Sequence, residues 1–284
     1  MRDEDYYSVR SGKRSRVKLD LNTLKQLFLS VYTEFKKKDY FYEYMGYWCT
    51  DEGDVPGVLG DDTAIASRLL LKLGSNNLWP LEEYIHFYTE DDVLDMIEFL
   101  YDCISIPSDG IYHSYNNCGY HRYKAFDNVT ARKEYQLRMN ELLKQYSDGY
   151  ELSDQGCILI LVERGFDNLL KATVPENIED SQLIQNKINH AVDKYRRGRK
   201  VEERRDGIRE LADVLELLRP KIKELNLKQD ESDIFNLLNN FGIRHFNSGQ
   251  KTNYNTSIFY SGLFYHFLLM IHMVLRLIDK NKGG

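Results

Sequence analysis

The longest apolar segment of the chain, residues 258–278, limits the possible folds more than any other feature. Its length is close to the roughly 20 residues of a membrane-spanning helix. It also carries His266, His272 and Arg276, and it lacks the flanking residues typical of a membrane span. Ionisable groups are costly inside a bilayer. We therefore expect a buried central helix or an oligomer interface, in a cytoplasmic protein without membrane contact.

Three further helices are predicted before this segment. Apolar residues recur at helical spacing over 181–197, over 201–225, and from Asp230 or Ser232 to Phe241. The last helix is predicted from Thr256 to Ile278. Four helices with short links are typical of an antiparallel bundle, which we place at residues 178–284.

The earlier part of the chain is predicted as a flexible terminus, residues 1–18, and a helical domain, residues 19–175. The expected helix starts are marked by side chains that cap helices: Asp20, Asp61 or Asp62, Thr89 with Asp92, and Asp127. A β-hairpin is predicted near 149–161, while 50–60 and 107–127 are predicted as loops. The fold class is therefore mainly α, with one small hairpin before a C-terminal four-helix bundle.

The helix that precedes the hairpin has a basic face. Arg132, Lys133 and Arg138 lie on it, and a helix followed by a hairpin is the order found in winged-helix DNA-binding modules. The same order occurs in many α+β domains. A winged-helix reader of DNA is therefore one hypothesis for the N-terminal half.

Charge and motifs exclude several classes of function. The net charge of −6 gives no general attraction to nucleic acid, so such contact would need local basic patches, as at residues 10–18 and 196–200. No phosphate-binding loop, dinucleotide-binding fingerprint or zinc-protease motif is found. Neither a cofactor nor a metal is expected. The scattered cysteines form no CxxC pair, and the spacing of His113, Cys118 and His121 fits no standard metal site.

A polar cluster directly precedes the last helix. Arg244 and His245 are adjacent, Asn247 follows, and Gln250, Lys251 and Tyr254 come next. A guanidinium suits a phosphate, and an imidazole can transfer a proton near neutral pH. These are groups that RNA cleavage requires. The alternative is structural: Arg244 and Asn247 bond exposed backbone groups, His245 packs, and the cluster only orients the last helix.

The last 105 or so residues resemble a known family. The resemblance lies in residues 209–216, Ile234-Phe235-Asn236, residues 239–245 and Gln250-Lys251-Thr252. These stretches are similar to the C-terminal domains of bacterial abortive-infection-like proteins, which resemble the HEPN superfamily of four-helix bundles. Members of that superfamily are often metal-independent ribonucleases that act as dimers in defence against phage. Arg244 matches the Arg of their motif, whereas the motif His, four to six residues later, has no counterpart here.

The resemblance implies a site and its partners. Arg244, His245 and Asn247 are the candidate catalytic residues, and Gln250, Lys251, Tyr254, Asp213 and Glu216 are the candidate binding residues. The expected function is an abortive-infection effector that acts on or binds RNA as a homodimer. The alternative is a non-catalytic scaffold protein whose tyrosine-rich front half binds a partner protein or nucleic acid. Its bundle would dimerise through a surface with these side chains: Phe259, Phe264, Phe267, Met270 and Leu275.

Overall fold

The computed structural model divides the chain into two compact units. It describes residues 6–15, 17–147, 149–162, 165–198, 200–225, 232, 236, 243 and 255–282. The N-terminal unit is Met1–Leu161 and the C-terminal unit is Val162–Gly284. Each unit has its own hydrophobic core. The boundary predicted near residues 175–178 therefore lies within the C-terminal unit.

The helices of the N-terminal unit begin where capping residues predict them. Its described helices are α1 (Tyr7–Arg10), α2 (Leu21–Lys36), α3 (Tyr42–Met45), α4 (Asp62–Leu73), α5 (Leu81–Tyr84), α6 (Glu90–Asp102) and α7 (Asn128–Leu143). The side chains of Asp20, Asp61 and Asp127 accept hydrogen bonds from the backbone at the starts of α2, α4 and α7. Thr89 and Asp92 form the predicted capping box of α6. These starts are confirmed.

The strands of this unit are short and pair two by two. The antiparallel pairs are β1 (Tyr47–Cys49) with β2 (Gly53–Val55), β3 (Ile106–Ser108) with β6 (Ala125–Asp127), β4 (Ile111–His113) with β5 (Gly119–His121), and β7 (Tyr150–Leu152) with β8 (Ile158–Ile160). The last pair confirms the hairpin predicted near 149–161. The other pairs lie largely in the segments predicted as loops, which have no continuous apolar run like that of residues 157–161.

The C-terminal unit is built from helices that pack on one core. They are α8 (Asp167–Leu170), α9 (Ser181–Arg197), α10 (Val201–Glu224) and α11 (Thr256–Lys282). Helix α10 packs against both α9 and α11. The ring of Tyr195 on α9 stacks on that of Phe264 on α11, with 3.9 Å between centroids. The predicted third helix lies almost wholly outside the described residues.

Helix α11 contains the longest apolar segment of the chain, residues 258–278. Within the described residues it is the one helix long and apolar enough to cross a membrane, and 56% of its most apolar window is buried. Phe264, Phe267 and Leu275 are fully buried in the core of the unit, and Met270 packs against that core. The dimer surface predicted from these residues is therefore wrong. Of its members, only Phe259 is an exposed side chain.

Candidate metal centre

Two hairpins of the N-terminal unit bring four metal-ligating side chains together. Cys49 ends β1, His113 ends β4, Cys118 directly precedes β5 and His121 ends β5. One ligand atom from each side chain, sulfur or ring nitrogen, lies within 4.8 Å of all the others. Cys49 and His121 are buried, whereas His113 and Cys118 are half-buried. The cluster is thus a candidate metal centre at the surface of the unit.

The spacing of the ligand atoms fits one small cation. Cys49 Sγ lies 3.8 Å from His113 Nδ1, and Cys118 Sγ lies 3.0 Å from His121 Nε2. Bond lengths of ~2.3 Å to sulfur and ~2.0 Å to nitrogen in a tetrahedral zinc site separate neighbouring ligand atoms by roughly 3.5 Å. The side chains therefore need only small adjustments to coordinate a zinc ion.

The residues around the cluster orient its ligands. The carboxylate of Asp51 lies 3.0 Å from Nε2 of His113, which leaves Nδ1 of that ring to face Cys49. A carboxylate bonded to the outer nitrogen of a histidine is the usual second contact of a zinc ligand. Backbone amides also point at both sulfurs: Thr50 N lies 3.4 Å from Cys118 Sγ, and Asp51 N lies 3.5 Å from Cys49 Sγ. These amides stabilise negative charge on sulfur.

The electrostatics of the cluster favour a thiolate. Hydrogen bonds from Thr50, His113 and His121 lower the pKa of Cys118 to about 6. The pKa of His113 is raised, first by its hydrogen bond with Cys118 and also by Asp51. The thiolate is the form of cysteine that binds metals. Cys118 is therefore prepared for coordination near neutral pH.

Aromatic rings hold His121 in place. Its Nδ1 is buried and has no hydrogen-bond partner among the described residues, so no polar contact orients the ring from that side. Instead Tyr47 stacks on the imidazole at 4.6 Å, and Tyr42 stacks on Tyr47 at 4.3 Å. The Tyr42 hydroxyl accepts a hydrogen bond of 2.7 Å from the backbone of Arg122. The stack therefore connects the β4–β5 hairpin to α3 and β1.

Local backbone chemistry explains how Cys118 reaches the cluster. Asn116 and Asn117 both have left-handed backbone conformations, with φ of 49° and 51°. Asparagine tolerates this region better than most residues. Gly119, with φ of 104°, starts β5 directly after the cysteine. These residues reverse the chain tightly enough to bring Cys118 back beside His113.

The ligand set indicates which metal the cluster suits and what that metal would do. Thiolate and imidazole ligands favour Zn²⁺, whereas Ca²⁺ and Mg²⁺ prefer oxygen. Catalytic zinc sites usually have three protein ligands and leave a fourth position for water or substrate. Four protein ligands fill a tetrahedral shell. The arrangement is therefore that of a structural centre.

Sequence patterns do not reveal this centre, for a geometric reason. The spacing of His113, Cys118 and His121 is not that of a standard metal site, so no metal is expected from these three residues alone. The fourth ligand, Cys49, lies 64 residues before His113 and belongs to a different hairpin. The one local signal was the pair Cys118 and His121, two ligand types separated by two residues.

Most residues of the site predicted in the C-terminal unit lie outside the described residues. They are Arg244, His245, Asn247, Gln250, Lys251 and Tyr254. Asp213 is exposed on α10. Glu216, also on α10, is half-buried, and Arg219 Nη1 lies 3.4 Å from its carboxylate. Ile243 is fully buried, and its carbonyl accepts a hydrogen bond of 3.2 Å from Arg209 Nε.

The basic face predicted on α7 is largely engaged within its own unit. Arg132 donates to the carbonyl of Tyr101 at 3.3 Å and stacks over that tyrosine ring. Arg138 pairs with Glu141. Because two of the three basic side chains have intramolecular partners, the winged-helix hypothesis gains no support from this face.

The chain gives no match to a known protein family, to a curated protein or to a solved structure.

Proposed function

We propose that this protein is a zinc-dependent binding protein, in which a structural Zn²⁺ organises the recognition surface of the N-terminal unit. The observation that carries the proposal is the convergence of Cys49, His113, Cys118 and His121 within 4.8 Å. The alternative drawn from the sequence, a binding protein with a tyrosine-rich front half, is of the same class. A structural zinc ion would give that front half a fixed surface for binding.

The shortness of the hairpins supports a structural role for the ion. An isolated two-stranded hairpin is marginally stable in water. Here strands β1, β2, β4 and β5 have only three residues each. A metal that takes ligands from both hairpins would contribute its binding free energy to their folding.

Metal analysis of purified protein tests this proposal. We expect about one zinc ion per chain by mass spectrometry, and a severalfold lower content in Cys118→Ser because a hydroxyl is a poor zinc ligand. Cys157→Ser is the matched control, since Cys157 is a half-buried free cysteine outside the cluster. Wild-type protein without zinc, or equal zinc contents in the two variants, would contradict the proposal.

The C-terminal unit carries a second candidate function. Here the proposal is the one implied by the resemblance: a HEPN-like domain of the abortive-infection type that acts on RNA as a homodimer. Two observations favour it. Helices α9, α10 and α11 share one core, and Ile243, next to Arg244 in sequence, bonds to Arg209, one helical turn before Asp213. The polar cluster therefore directly follows Ile243, which is hydrogen-bonded to α10, the helix on which Asp213 lies.

Cleavage of total RNA and tRNA, together with toxicity in cells, tests this second function. We expect Arg244→Ala and His245→Ala to reduce both, because they remove the phosphate-binding and proton-transferring groups. Arg276→Ala, at an exposed arginine of α11, is the matched control. Cleavage that persists unchanged in the first two variants would exclude a catalytic role for the cluster, and a monomer in light scattering would exclude the dimer.

A further inference from the structure

A cleft beside the metal centre has walls that are mostly aromatic. Its volume is about 340 Å³, and Cys118 and His121 form part of its lining. The rings that line it include those of Tyr32, Tyr42, Tyr47, Trp48, Trp79 and Tyr120. Small-molecule sites have volumes of about 300–1,000 Å³, with aromatic walls and a few polar groups. The cleft therefore has the size and lining of a site for a small ligand or a single side chain.

The charged groups of the cleft disfavour an anion. Its lining includes two carboxylates, Asp39 and Asp62, and one ammonium, Lys36. Asp62 accepts a hydrogen bond of 2.6 Å from the indole of Trp79, and Asp39 accepts one of 3.0 Å from the hydroxyl of Tyr123. Both donors are neutral, so the negative charges persist. Lys36 lies 2.6 Å from the carboxylate of Glu82, which offsets its positive charge.

The aromatic walls favour a cation for a separate reason. The face of an aromatic ring carries negative electrostatic potential and attracts ammonium and guanidinium groups. Trp48 and Tyr120 are 62% and 56% exposed, so their rings are accessible to a ligand. Tyr32, which also lines the cleft, is 1% exposed. Its ring meets Trp79 edge to face at 6.4 Å.

We propose that this cleft binds an organic cation, an ammonium or guanidinium group, between its aromatic walls and its two carboxylates. The inference rests on the proposed function, because the β4–β5 hairpin that supplies Tyr120 is the one the metal holds. The cation is either the side chain of a peptide or a free small molecule. Both present the same chemistry to the cleft.

Calorimetric titration of the full-length, zinc-containing protein tests the proposal and separates the two sources. The ligands are choline, a short peptide with one trimethyl-lysine, the neutral choline isostere 3,3-dimethylbutan-1-ol, and adenosine monophosphate. We expect at least one cation to bind about tenfold more tightly than the neutral isostere, because only the charged form gains the attraction of rings and carboxylates. Tighter binding of the peptide indicates a protein partner, and tighter binding of choline indicates a small molecule.

Two variants place the binding in the cleft. Asp62→Asn keeps an oxygen that can accept from Trp79 but loses the charge, so cation affinity should fall about fivefold or more. Asp102→Asn, at an exposed aspartate of α6 outside the cleft, is the matched control and should bind as wild type does. Trp48→Ala removes an exposed wall and should weaken binding of the cation more than that of the isostere.

The outcomes distinguish this inference from the proposed function. Zinc content is measured on every sample that is titrated. If the protein contains zinc and binds no cation, or binds adenosine monophosphate more tightly than either cation, the cleft inference is overturned and the zinc centre stands. If the purified protein contains no zinc, the proposed function is contradicted, and so is the cleft inference that rests on it.

Discussion

At the scale of single residues, Asp51 contacts the outer nitrogen of His113 in the candidate metal centre. Its carboxylate lies 3.0 Å from Nε2 and leaves Nδ1 toward Cys49. Loss of such an outer contact commonly lowers metal affinity about 10–100-fold. We expect Asp51→Ala to weaken zinc binding by that factor, measured by competition with a chromophoric chelator.

The control for this prediction is Asp54→Ala, at an exposed carboxylate of the same hairpin. It removes an equal charge without touching a ligand. If both variants weaken zinc binding equally, the effect is the general loss of negative charge and Asp51 has no orienting role.

In the C-terminal unit, His272 is the single residue that we expect to make stability depend on pH. It is 5% exposed, and its Nε2 has no hydrogen-bond partner among the described residues. Burial lowers its pKa, and Arg276 lowers it further. The folded state therefore keeps the imidazole neutral at a pH where the unfolded chain already protonates it. The unfolded state then binds more protons, so stability falls as the pH drops below about 6.5.

Thermal unfolding at about pH 7.5 and about pH 5 measures this effect. We expect the C-terminal unit of wild-type protein to lose stability between these values. His272→Leu, which has no proton to gain, should lose less over the same interval. An equal loss in both proteins would assign the pH dependence to other groups.

At the scale of elements, the β1–β2 hairpin depends on Gly46. This residue has a φ of 78°, and an added Cβ would collide with the carbonyl oxygen of Val55 and lie 2.7 Å from Gly57 N. Backbone atoms cannot move aside as a flexible side chain can. We expect Gly46→Ala to disrupt the hairpin and displace Cys49, with a loss of both stability and zinc.

Gly53→Ala is the matched substitution in the same hairpin. Gly53 also has a positive φ, of 73°, but nothing lies within 4 Å of an added Cβ. Only the left-handed backbone is then penalised, by about 1–2 kcal/mol. Chemical denaturation and zinc content of the two variants should differ clearly. Similar losses would show that backbone strain alone, and not the collision, determines the effect.

The elements that the sequence predicted well are those with local signals. Asp20, Asp61, Thr89 and Asp127 cap helices by bonding the backbone three residues ahead, and such a signal is visible in a short window of sequence. The β7–β8 hairpin has a local signal in its apolar run, residues 157–161, whereas strands β1 to β6 are defined by their partners. Their pairing depends on contacts across the chain, which local patterns do not contain.

The same difference between local and long-range signals separates the two candidate sites. The Arg244-His245 pair was recognisable because its two groups are adjacent in sequence. The metal centre was not, because Cys49 joins its partners only after the chain has folded through α4, α5 and α6. Chemistry at one position can be read from a sequence, whereas convergence of distant positions requires the fold.

At the scale of the whole molecule, the presence of two separate cores predicts that metal removal affects the N-terminal unit and leaves the C-terminal unit unchanged. All four ligands of the cluster belong to the N-terminal unit, and the core of α9, α10 and α11 belongs to the other. We expect a zinc chelator to speed amide hydrogen exchange in residues 47–55 and 106–127 of the full-length protein. Exchange in α9–α11 should remain unchanged.

Cys118→Ser without chelator should reproduce the same pattern, which separates loss of the metal from other actions of the chelator. Faster exchange throughout both units would contradict the independence of the two cores. Unchanged exchange in the two hairpin regions would contradict a structural role of the ion.

The distance in sequence between Cys49 and its partners has a consequence for how the protein is made. A ribosome exposes Cys49 well before it has added His113, Cys118 and His121, so the coordination shell stays incomplete while the intervening helices emerge. Once all four ligands bind the ion, they close a loop of more than sixty residues, much as a covalent cross-link would. In the proposed centre, a zinc ion can therefore complete its shell only after His121 has been synthesised, when ligands from both hairpins are present.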